Sequence, residues 1–149
     1  MEKIRLTKAF SFEMAHALYG YDGACKNIHG HSYVMHVTVI GVPVNDSADV
    51  KNGMVIDFSI LKQIVKEKIV DEVDHALALN GDSPHRKLQN LNDNFEKIIF
   101  VPYQPTCENL LIDFKNRIKQ LLPENIKLQS MRLSETATSY AEWFADDNN

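Results

Sequence analysis

The strongest constraint on the fold lies at the N-terminus. Between residues 4 and 16, Phe10, Phe12, Met14 and His16 fall on one side of the chain, and Ser11, Glu13 and Ala15 on the other. A period of two is the pattern of a strand with one covered face. A second run, residues 31–41 (HSYVMHVTVIG), is rich in β-branched and aromatic types and also reads as a strand. Residues 17–28 (ALYGYDGACKNI) carry two glycines and an aspartate, the composition of a loop. The chain is therefore expected to open with an antiparallel pair joined by a long loop.

Beyond the turn-rich stretch 43–53, Asp57 is placed to cap a helix. Leu61, Ile64, Val65, Lys68 and Ile69 mark its spacing, and it should end near Asp71. Residues 80–95 read as an irregular surface insertion, and Lys97 to Val101 as a short strand. Thr106 caps a second helix with an apolar stripe of Leu110, Leu111, Phe114, Ile118 and Leu121, closed by Pro123. Residues 126–136 form a last strand, and the tail DDNN is expected to fray. The order β-β-α-β-α-β is an α+β pattern. Over 149 residues it implies a single domain, 1–149, and a hydrophobic fraction of 44% suffices for a core.

The net charge of −4, without any block of like charge, argues against a nucleic-acid partner. No apolar run is long enough to span a membrane. The opening MEKIRLTKAF lacks the apolar stretch of a signal peptide, so a cytoplasmic protein is expected. In that compartment Cys25 and Cys107 are expected as free thiols.

His29 and His31 flank Gly30 where the second strand begins. Residues two apart on a strand share a face, so both imidazoles can meet one ion. His16 ends the Phe10–Phe12–Met14 face of the partner strand and supplies a third. Three histidines leave one tetrahedral position open, the arrangement of catalytic rather than structural zinc. His36 lies at an odd offset from His31 and faces away. His85, in the insertion, is expected to be solvated.

Cys25 stands in the loop between the two histidine-bearing strands, with Lys26 beside it. A nearby zinc and a lysine favour the thiolate, the form that takes protons. Asp74 precedes His75, and a carboxylate can set the tautomer and basicity of a histidine when a turn brings them together. Glu135 continues the inward face of Met131 and Leu133, and a carboxylate there can accept two N–H bonds from a ligand edge. Glu108, in the first turn of the second helix, favours the helix dipole. Cys107, just inside the helix capped by Thr106, is expected to pack.

Phe12–His16 (FEMAH), Cys25–His31 (CKNIHGH), Gly53–Phe58 (GMVIDF), Asp74–Asn80 (DHALALN), Pro105–Leu110 (PTCENL) and Glu135–Thr136 occur in an order that spans nearly the whole chain. In these segments the chain resembles the 6-pyruvoyl-tetrahydropterin synthase and 6-carboxy-tetrahydropterin synthase family. The resemblance implies a tunnelling fold (T-fold): a four-stranded antiparallel sheet with two helices on one face, closing as trimers and stacking as a hexamer with active sites at subunit interfaces. It implies zinc on His16, His29 and His31, Cys25 as proton acceptor, Asp74 and His75 as proton relay, and a pterin held by Glu135 with Thr106 and Glu108 nearby. Three residues separate Cys25 from His29. That spacing resembles the 6-carboxy branch, which serves the route to queuosine. The expected substrate is 7,8-dihydroneopterin triphosphate, and the expected products are 6-carboxy-5,6,7,8-tetrahydropterin, acetaldehyde and triphosphate.

Three alternatives remain open at this point. A 6-pyruvoyl-tetrahydropterin synthase would only eliminate triphosphate. A three-histidine zinc hydrolase would use a metal-bound hydroxide and have no need of Cys25. A non-catalytic pterin binder would bind without turnover.

Overall fold

The computed structural model describes residues 1–149. Strand β1 (Ile4–His16) and strand β2 (His29–Gly41) form a long antiparallel pair. Next comes helix α1 (Phe58–Val65), which runs on through a π-turn (Lys66–Val70) into the single turn α2 (Asp71–Val73). Strand β3 (Ala76–Asn80), a 3-10 turn (Pro84–Lys87), the short α3 (Leu91–Asn94) and strand β4 (Ile98–Val101) follow. Helix α4 (Cys107–Lys119) leads to strands β5 (Lys127–Ser134) and β6 (Tyr140–Phe144), and a 3-10 turn (Ala145–Asn148) ends the chain.

The two long strands follow directly from the pattern. Phe10, Phe12 and Met14 are buried while Ser11 and Glu13 are exposed. Across the ladder Phe12 faces Tyr33, Met14 faces His31 and His16 faces His29. The Phe12 and Tyr33 rings stack at 5.1 Å. Leu61, Val65 and Ile69 from the first helical segment, and Leu110, Leu111, Phe114 and Ile118 from α4, close over the same face. Phe114 meets Phe12 edge-on at 6.1 Å. Each cap is where the residue types place it: Asp57 accepts from Ser59 N–H at 2.8 Å, and Thr106 from Asn109 N–H at 3.2 Å.

The sheet departs from the expected four antiparallel strands. It has six, in the order β4-β3-β1-β2-β5-β6. β3 runs parallel to both β1 and β4. Its sequence ALALN is buried on both faces, so no alternation marks it. β6 does alternate, but it lies beyond the segment expected to close the sheet. β2 begins at His29 rather than at residue 31, which puts the whole His-Gly-His on the strand. The helical segment after Asp57 runs to Val73, and the tail forms a 3-10 turn instead of fraying. Within 80–95 there are two short helical turns. His85 there is half-buried against Tyr19 at 5.3 Å rather than solvated.

Candidate active site

Antiparallel pairing carries His16 to His29, and the period of two carries His31 to the same face. The ligand nitrogens of these three residues lie within 4.8 Å of one another. Two rings are oriented by main-chain oxygens: His16 Nδ1 donates to Pro105 O at 2.7 Å, and His29 Nδ1 to Asn27 O at 2.7 Å. Protons on Nδ1 leave both Nε2 atoms as bare acceptors. Those two Nε2 atoms are 3.0 Å apart. Two lone pairs at that separation repel unless a proton or a metal ion lies between them. Burial, reinforced by the charges of His29 and His31, lowers the pKa of His16 from 6.5 to about 4, so a shared proton is disfavoured at neutral pH. The donor set, the tautomers and the spacing fit a borderline metal such as zinc.

Tyr33 floors the cluster, with its ring edge-on to His16 at 6.2 Å and to His31 at 5.5 Å. Its hydroxyl is buried without a hydrogen-bond partner. Burial, with Glu135 and the two thiols nearby, pushes its pKa up, so it stays protonated. Strand periodicity places Tyr33 on the histidine face, but nothing in the sequence distinguishes it from an ordinary core aromatic.

Glu135 follows the end of β5, and its Oε2 is 3.9 Å from His31 Nε2. Its N–H donates to Ser139 O at 3.1 Å, which ties it into the turn toward β6. Cys25 sits half-buried in a 3-10 turn, Ala24–Lys26, and its carbonyl accepts from Leu18 N–H at 3.0 Å. Lys26 is exposed. The Thr106 hydroxyl is occupied as a helix cap. Glu108 is exposed in the first turn of α4. Cys107 donates to Leu133 O at 3.2 Å, and burial pushes its thiol up to about 12. It packs, as its place in the helix suggested.

Asp74 and His75 do come together: Asp74 Oδ1 is 3.1 Å from His75 Nδ1. Adjacent residues meet here because His75 takes a left-handed backbone, φ 60°. Glu13 holds the turn, donating its N–H to Asp74 Oδ1 at 2.9 Å and accepting from His75 N–H at 2.6 Å. The Glu13 N–H bond comes first among the causes that hold the Asp74 carboxyl below its ordinary range; His75 and Lys97 add to it. The pair has no hydrogen bond to Cys25 or to the three histidines. It lines a cleft of about 930 Å³ with Gly30, His31, Phe95 and Lys97. Lys97 escaped the sequence reading, because its contacts with residues 71 and 74 are made only in the folded chain.

The family model described as 6-pyruvoyl tetrahydropterin synthase matches residues 5–146. A protein of Haemophilus influenzae named 6-carboxy-5,6,7,8-tetrahydropterin synthase is 40% identical over 144 residues, covering 93% of this chain and 97% of its own. A protein of the same name from Rickettsia typhi is 33% identical over 141 residues, covering 93% and 99%. The solved structure of 6-pyruvoyl tetrahydropterin synthase from Plasmodium vivax superposes with a TM-score of 0.71 at 21% identity, over 96% of this chain and 98% of that one, and shares the fold. A match along nearly the whole chain, on a sheet that converges three histidines, places this protein in the 6-pyruvoyl tetrahydropterin synthase family.

Proposed function

We propose that the chain is a zinc-dependent lyase. It would convert 7,8-dihydroneopterin triphosphate and water to 6-carboxy-5,6,7,8-tetrahydropterin, acetaldehyde and triphosphate. The observation that carries this reading is the convergence of His16, His29 and His31 beside Glu135. The names of the Haemophilus and Rickettsia relatives, and the three-residue spacing from Cys25 to His29, favour the carboxy product over triphosphate elimination alone.

His16, His29 and His31 would hold the metal through Nε2, with Nδ1 of His16 and His29 fixed by Pro105 O and Asn27 O. Bound zinc supplies Lewis-acid polarisation at the side-chain oxygens of the substrate. Glu135 accepts the two N–H groups on the pterin edge and fixes the ring relative to the histidines. Thr106 and Glu108, at the start of α4, would border the same ring. Cys25, as thiolate, takes a carbon-bound proton of the side chain. Asp74, ionised at neutral pH, accepts from His75 Nδ1–H and leaves Nε2 free to receive and return a proton.

His75 is 78% exposed and has no hydrogen bond to the histidine cluster, as suits a group that completes a site across a subunit contact. Both edge strands, β4 and β6, lack an outer partner within the chain, which supports closure as a trimer or a hexamer of stacked trimers. A cytoplasmic place in deazapurine synthesis follows from the same reading. No helix is long and apolar enough to cross a membrane.

Incubation with 7,8-dihydroneopterin triphosphate, mass analysis of the pterin and an acetaldehyde assay test the proposal together. A carboxylated tetrahydropterin with one equivalent of acetaldehyde is expected. A pyruvoyl pterin without acetaldehyde would move the chain to the other branch, and no pterin turnover would overturn the lyase reading.

A further inference from the structure

We propose that Lys97 is the positioning residue for the Asp74–His75 pair, an inference that rests on the relay role given to that pair above. The helical run ends at Val73, and Asp74 then turns extended while His75 turns left-handed. Carbonyls at a helix C-terminus have no partner within the helix. A left-handed backbone at a residue other than glycine is strained, and it persists only where the surroundings enforce it.

Glu13 of β1 supplies part of that enforcement, through the Asp74 carboxylate and the His75 N–H. Lys97 supplies the rest from another element. Its Nζ donates to Asp71 O and to Asp74 O, at 2.7 Å each. These two carbonyls bracket the end of the helix and the residue that orients His75. The lysine is itself fixed: Lys97 O accepts from Leu77 N–H at 2.9 Å, and β4 begins at the next residue.

The ammonium spends its donors on main-chain oxygens rather than on a carboxylate. The nearby Asp71 side chain pairs with Lys66 instead, at 2.6 Å. Positive charge at a helix C-terminus is favourable, but a bare cap would need only Asp71 O. The second bond, to Asp74 O, fixes the peptide that joins the two members of the pair. Loss of that bond frees the peptide to rotate, and the His75 ring swings with it. Misplacement of a catalytic group by about 1 Å costs up to ~10²-fold in rate without requiring any change in substrate binding.

The test is steady-state kinetics on full-length Lys97→Met, Lys97→Arg and His75→Asn, with rates counted per pterin-binding site. Lys97→Met is expected to lower kcat about tenfold or more with KM within about twofold, and Lys97→Arg, which keeps two donors, to recover most of the loss. Added to His75→Asn, Lys97→Met is expected to change the residual rate no further, because it acts through His75. Wild-type kcat in Lys97→Met, or the same fold-loss in the His75→Asn background, would overturn the proposal. If Lys97→Met does not fold, Lys97→Gln, which cannot hold both carbonyls as a cation, is judged by the same criteria. Wild-type turnover in His75→Asn would instead overturn the relay reading. An inactive His75→Asn beside an unimpaired Lys97→Met would remove only the role of Lys97.

Discussion

The three-histidine cluster and the Asp74–His75 pair are built in opposite ways. The cluster rests on one ladder: the β1–β2 register sets His16 opposite His29, and the strand period adds His31. His16 is 2% exposed, and two of the three rings are anchored to main-chain oxygens. The pair sits on a junction of four elements, where the end of α2 and the start of β3 are held by Glu13 of β1 and by Lys97 immediately before β4. It is open to solvent and takes a backbone conformation that its own residue types disfavour. A ladder fixes geometry with many repeated bonds, so its loss is cooperative. A junction fixes geometry with four or five separate bonds, each of which can be removed alone.

The sharpest break of this contrast is His29→Ala with His31→Ala. About one zinc per chain is expected in the wild type, at roughly 2.0–2.1 Å from each ligand nitrogen, and close to none in the double variant, with turnover lost. His75→Asn should keep full metal content by elemental analysis. Metal retained in the double variant would dissolve the distinction between the two regions.

Cys25→Ala is next in size. A positioned base contributes on the order of 10²–10⁴-fold, so turnover should fall by that factor while pterin binding, measured by fluorescence titration, persists. Cys107→Ala is the control and should turn over normally, because its thiol is bonded to Leu133 O and is held protonated. Wild-type turnover in Cys25→Ala would favour the hydrolase alternative.

Glu135→Gln keeps the shape of the side chain but replaces one acceptor by a donor. A charge-assisted hydrogen bond is worth about 1.5–3 kcal/mol, so KM should rise about ten- to a hundredfold with a smaller effect on kcat. An unchanged KM would remove Glu135 from the pterin site.

The smallest effect concerns stability. In the folded, metal-free chain His16 has a pKa of about 4, against 6.5 when unfolded, because burial disfavours the imidazolium. Between those values the unfolded chain binds the extra proton, so stability falls as pH drops from 6.5 toward 4 and levels off on either side of that window. Unfolding free energies from denaturant titrations with chelator at pH 7 and pH 5 should differ by roughly 2 kcal/mol. His16→Gln should flatten that slope.

By itself the sequence determined what depends on period and cap chemistry. Alternation around Phe10–His16 identified β1 and the face that carries the metal ligands, and Asp57 and Thr106 marked both long helices. The odd offset of His36 removed it from the cluster without a structure. Tertiary structure alone decided the rest. β3 could not be told from a helix end, since a strand buried on both faces has no period. The parallel β1–β3–β4 pairing brings together residues 15 and 77, and 78 and 99, whose neighbourhood no local pattern encodes. The left-handed turn at His75 and the reach of Lys97 to Asp74 O arise for the same physical reason: local propensity disfavours the one and is silent on the other, and both exist only because the packed strands hold them in place.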